Sequence, residues 1–94
     1  MRKILANTRT LSLGKDRELL IHYYIIAEEL TKRKEVGPVE IYGACIEAGA
    51  ESSYVQRITT SQKRIEALIK LLSENFVTPI HLYDMVDDLL GVLF

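Results

Sequence analysis

Tryptophan is absent from this 94-residue chain, and cysteine occurs only once, proline twice and phenylalanine twice. A single thiol, Cys45, excludes an intrachain disulfide and suits a reducing compartment, so a cytoplasmic setting is expected. No apolar stretch approaches the ~20 residues a bilayer crossing needs. Met1-Arg2-Lys3 could start a signal peptide, but the run Ile4-Leu5-Ala6 behind it is cut at once by Asn7, Thr8 and Arg9, so a cytosolic chain is expected. A dominant charge is also lacking. The formal net charge is −1, so nothing pulls the whole chain toward nucleic acid or an anionic membrane. Phosphate loops, HExxH, paired CxxC and GxSxG are missing too, and no motif selects an enzyme or a cofactor.

What is present suits one ordinary globular domain. Apolar residues make up 48% and charged residues 27%, which argues against disorder. The charges are unevenly placed: residues 1–34 carry +4 and residues 35–94 carry −5. Such a split can orient a partner or a second copy of the chain.

The strongest local pattern lies in residues 59–94. Ile65, Leu68, Ile69 and Leu72 fall on one face of a helix. Asn75 suits the left-handed residue that ends it, with Phe76 placed to pack on Leu71. Thr78 is a candidate cap and Pro79 fits a first helical position. A second helix follows with Leu82, Met85, Val86, Leu89 and Leu93 on one face and Gly91 as its stop.

Residues 1–58 instead show a period near two. Leu11 and Leu13 alternate with Thr8, Thr10 and Ser12, ahead of a turn at Gly14-Lys15-Asp16. Leu19 to Ala27 is rich in Ile and Tyr and apolar on both faces. A helix is the alternative for this run, but the β-branched and aromatic content favours a strand. After the charged break Thr31 to Pro38, Val39 to Ala48 reads as a strand in which Gly43 marks a bulge or a close backbone approach. Gly49 to Ser53 reads as a turn, and Tyr54 to Ile58 as a last short strand. The expected fold is α+β, an antiparallel meander of three or four strands followed by a two-helix hairpin packed on one face. Two helices cannot cover both faces of Leu19 to Ala27, so a second copy is the expected cover for Tyr24 and Ile26.

Ile58-Thr59-Thr60, Ile65-Glu66-Ala67-Leu68, Leu72 and the run Thr78 to Gly91 resemble the C-terminal signature of a small bacterial family of uncharacterised cytosolic domains. Tyr42-Gly43 and Ile46-Glu47 resemble its upstream strand. The resemblance implies a size, a sheet-then-helices order and a bacterial cytoplasmic setting. It implies no activity and transfers no functional residue.

Candidate sites are few. With Gly91 as the stop, Asp87 and Asp88 fall in the last turn of the second helix, where carboxylates are unfavourable, and Asp84 and Asp88 are a like-charge pair four apart. His81, Asp84 and Asp88 share a face able to hold a divalent cation; a solvated acidic face paired with Lys63, Arg64 or Lys70 is the plainer reading. His22 reads as a satisfied sheet histidine and Cys45 as a buried, inert thiol. Lys32, Arg33 and Lys34 at a hairpin tip are the one place for phosphate contacts, without the basic stripe a nucleic-acid binder needs. The reading that follows is a non-enzymatic interaction or regulatory module acting as a homodimer through Tyr24, Ile26, Asp84, Asp87, Asp88 and Phe94. Its rivals are a metal-binding or small enzymatic protein and a nucleic-acid-binding regulator.

Overall fold

A computed structural model describes the backbone of residues 1–30 and 39–93, and the side chains of residues 1–30 and 39–91. Four antiparallel strands, β1 (Arg2–Gly14), β2 (Arg17–Glu29), β3 (Glu40–Ala48) and β4 (Glu51–Thr59), form a meander in the order β1-β2-β3-β4. Helices α1 (Gln62–Glu74) and α2 (Leu82–Leu93) follow, joined through a 3-10 turn at Pro79–His81. The run Leu19 to Ala27 is strand throughout, as its Ile and Tyr content requires.

Both helices lie on one face of the sheet. Ile21 and Tyr23 of β2 and Ala44, Ile46 and Ala48 of β3 form the floor of the core. Ile65, Leu68, Ile69 and Leu72 of α1 close it together with Val77 and with Leu82 and Val86 of α2. The small side chains of Ala44 and Ala48 let the helices sit close to the sheet. Tyr23 is fully buried, and its hydroxyl donates to the Val77 carbonyl at 2.9 Å, which satisfies the one polar atom it brings inside.

Besides a shift near the β1–β2 turn, between Ser12 and Gly14, two departures from a regular ladder shape the sheet. Leu5 pairs with Tyr24 but Asn7 pairs with Tyr23, so Ala6 is an extra residue in β1. On the other side, β4 advances from Val55 to Thr59 while β3 advances only from Ala44 to Tyr42. Arg57, at φ 56°, sits in that second bulge. Gly43 lies opposite it, and a Cβ there would stand 2.3 Å from the Val55 carbonyl oxygen. The glycine expected to mark a close approach therefore does so.

Three local expectations need correction. The turn before β4 is only Gly49-Ala50, with Gly49 at φ 59°; a glycine first in a two-residue loop closes a tight hairpin, so β4 begins at Glu51 and not at Tyr54. At the end of α1 the left-handed residue is Phe76 (φ 51°), and Asn75 instead caps the Leu71 carbonyl through its side-chain amide at 2.7 Å. Phe76 N–H donates to Ser73 and Val77 N–H to Leu72, so the six-to-one bond sets which residue turns left-handed. The Phe76 ring lies under the Arg9 guanidinium at 4.3 Å. Lastly, the Thr78 side chain makes no capping bond, and α2 runs through Gly91, which keeps a helical backbone. Asp87 and Asp88 are thus in mid-helix, clear of the unpaired carbonyls of its end.

Two glycines should respond oppositely to alanine. Gly43→Ala drives a methyl into backbone that cannot yield cheaply and should lower stability by about 3 kcal/mol. Gly91→Ala meets open space on a helix and should raise it by about 0.5–1 kcal/mol. Urea unfolding monitored by circular dichroism reads both.

Candidate functional site

The face of the sheet turned away from the helices is built from alternate residues of all four strands. Register places Leu5, Tyr24, Cys45 and Tyr54 in one row running from β1 to β4. Lys3, Ile26 and Gly43 form the row on one side of it, and Thr8, His22, Glu47 and Ser52 the row on the other. Leu20, opposite Thr10, lies one row further along. Leu5, Leu20 and Tyr54 are 56%, 53% and 54% exposed, whereas Ile26 and Cys45 beside them are buried. Shelter for those two comes from the chain's own side chains: Met1, Lys3, Tyr54 and Gln56 rim a shallow hollow of about 280 Å³ over Ile26 and Cys45. The expectation that this face exceeds what two helices can cover is met, with part of the cover supplied internally.

Polar groups on this face bond to one another. The Lys3 ammonium donates to Glu47 and lies 4.3 Å above the Tyr24 ring. Arg57 pairs with Glu28 at 2.9 Å, and Thr8 Oγ1 lies 3.2 Å from His22 Nδ1. The hydrogen bond from Lys3 holds the Glu47 carboxyl below its ordinary range, and the same bond raises the Lys3 ammonium. Burial pushes the Cys45 thiol up, so it stays protonated and unreactive, as its apolar neighbours suggested.

Two further surfaces flank this one. β1 is a free edge whose charges, Arg2, Lys3 and Arg9, are all positive. A groove of about 380 Å³ runs between it and α1 over Ile4, Ile25 and Ile69, crossed by a 3.0 Å hydrogen bond from Asn7 Nδ2 to Ser73 Oγ. Ile80 of the 3-10 turn is 75% exposed, and the outward side of α2 carries Tyr83 and the exposed carboxylates Asp84, Asp87 and Asp88.

The candidate metal ligands do not converge. His81 closes the 3-10 turn with its N–H on the Thr78 carbonyl, Asp84 and Asp88 lie one turn apart on α2, and all three are exposed. Among the described residues no group of three His, Cys, Asp or Glu side chains is placed to hold a metal ion. Nor do the three aspartates form a salt bridge there; Lys70 pairs with Glu74 of its own helix. Lys32, Arg33, Lys34 and Phe94 lie outside the described residues. Among them no helix is long and apolar enough to cross a membrane.

Tyr24 and Ile26 do belong to one surface, as expected. Leu5, Leu20, Tyr54, Lys3 and Glu47 belong to it as well and were missed as site residues. Leu5 was hidden by the Ala6 bulge, which obscures which face β1 presents, and Tyr54 by placing the start of β4 too late. A two-residue Gly-Ala turn was the available signal for Tyr54.

A family model matches residues 2–92, from the first residue of β1 into the last turn of α2. The chain belongs to DUF6514, a family of unknown function. The match takes in every strand and both helices, so the bare sheet face lies within the DUF6514 unit. No curated protein and no solved structure matches the chain.

The Lys3–Glu47 bond makes a pH prediction. A carboxylate held below its ordinary value of 4.5 adds stability above that value, and the addition is lost as pH falls through the lowered folded value. Raised Lys3 acts at the other end: its contribution is present below 10.5 and lost as pH rises through the raised folded value. The fall in melting temperature on acidification should therefore be shallower in Glu47→Gln than in wild type. Because both groups are open to solvent, the difference should shrink in about 1 M salt.

Proposed function

We propose that this DUF6514 protein is a non-enzymatic interaction module that acts as a homodimer, in a bacterial cytoplasm. The observation that carries the reading is the bare face of the sheet, where large apolar side chains remain exposed after both helices are placed. Exposed apolar area gathered on one flat face marks an interaction surface more often than scattered exposure does. One buried free thiol agrees with a reducing compartment, and the bacterial setting follows from the family resemblance. In this reading the acidic side of α2 faces outward from the dimer, free to meet a basic protein partner.

Sedimentation velocity over a dilution series tests the central point. A dimer at micromolar concentration, dissociating on dilution, is the expected result. A monomer that persists to several hundred micromolar overturns the reading.

A further inference from the structure

Among the surfaces through which two copies of this chain can meet are the edge β1, the outward side of α2 and the bare face of the sheet; the other edge, β4, is broken by the bulge at Arg57. The first two surfaces oppose self-pairing. Antiparallel β1 edges bring Arg9 of both copies together with no acidic side chain in either strand, Arg2 and Lys3 being already paired with Glu40 and Glu47 of β3, and the Ala6 bulge interrupts the ladder. Facing α2 helices bring Asp84, Asp87 and Asp88 against their counterparts, and α2 holds no Lys or Arg.

The bare face is different. Its cations are already neutralised within one copy, Lys3 by Glu47 and Arg57 by Glu28, so a second copy meets no uncompensated charge from them. Its area is also sufficient. Strands of nine residues, about 3.3 Å per residue and about 4.8 Å apart, give a four-stranded face of about 570 Å². Two copies facing one another over it bury about 1,140 Å², above the roughly 1,000 Å² that a biological interface clears.

We propose that two copies pack bare face to bare face, with their sheets forming a sandwich and all helices on the outside. The occupant of the face is a second copy of this chain, and the proposal rests on the homodimer reading above. The row Leu5, Tyr24, Cys45, Tyr54 crosses the whole sheet, so a two-fold axis parallel to the strands and between β2 and β3 brings the Leu5 end of one row over the Tyr54 end of the other. Apolar side chains then meet apolar side chains along the full row, while the β1–β2 arm with Leu20 extends past the partner's β3–β4 turn.

The experiment pairs sedimentation with cross-linking. Tyr54→Lys and Leu5→Lys change exposed positions and should each weaken dimerisation at least about 30-fold. Tyr83→Lys on α2 should leave it within about threefold, and thermal melts confirm that each variant is folded. In a Cys45→Ala background, Leu5→Cys combined with Tyr54→Cys should give a covalent dimer with a short bismaleimide, while either cysteine alone should not. Within one copy these positions are three strand spacings, about 14 Å, apart, beyond such a linker. If the two lysine variants stay dimeric while Tyr83→Lys dissociates, this surface is overturned and the homodimer reading survives. A cross-link from Leu5→Cys alone overturns the axis. Open-ended growth with concentration, signalling head-to-tail contact of α2 on β1, overturns the sandwich, and a monomeric wild type overturns both this proposal and the homodimer.

Discussion

A strand apolar on both sides must have both sides covered, and this chain supplies helices for only one. β2 is that strand. Ile21 and Tyr23 point into the core, where each fully buried aliphatic side chain contributes about 1.5–3 kcal/mol over leaving it in water. Leu20, Tyr24 and Ile26 point the other way, onto a face where Ile26, Gly43 and Cys45 are shielded. The fold of one copy therefore depends on the helix side, and the opposite side stays available. Among the described residues no further element closes it.

The remaining surfaces make sense against that asymmetry. An edge strand with unpaired backbone groups invites uncontrolled pairing, and β1 answers with cations and a bulge, two devices that blunt edges in β proteins. The α2 side answers with carboxylates. Both devices act by repelling a like surface, so they protect against self-pairing while leaving a partner of opposite charge acceptable. The bare face uses neither device. Its charges are matched in pairs across neighbouring strands, an arrangement that keeps the face polar enough for solution while leaving no net sign to repel a copy.

Much of the architecture was legible in the sequence because it follows from periodicity. The α1 stripe of Ile65, Leu68, Ile69 and Leu72 is buried as spacing demanded, and the Leu11 and Thr10 alternation correctly assigned the two sides of the distal half of β1. Composition resolved β2 where periodicity did not. What failed was local chemistry decided by tertiary contact. Phe76 takes the left-handed conformation that Asn75 was suited to, because the bond from Val77 to Leu72 and the stacking of Arg9 determine the chain path there. Gly91 was read as a stop, yet with nothing beside it and a helix able to continue, it stays helical. The site was half legible for the same reason. Tyr24 and Ile26 lie on a strand whose sides can be counted, whereas Leu5 and Tyr54 depend on a bulge and a tight turn.

The Ala6 bulge shows how one residue defines the limits of that face. Were the β1 ladder regular, Ala6 would pair with Tyr23, and Asn7, Arg9, Leu11 and Leu13 would all turn onto the bare side. Arg9 would leave Phe76, and the Asn7 bond to Ser73 that ties β1 to α1 would be lost. Two more leucines would then extend the exposed apolar surface along the whole arm. With the bulge in place, Thr8, Thr10 and Ser12 occupy those bare-side positions and border the row of Leu5, Tyr24, Cys45 and Tyr54 with hydroxyls. A bounded apolar row supports association in one register, while an unbroken apolar arm would support many and favour aggregation. The inserted residue thus separates recognition from aggregation on the same sheet.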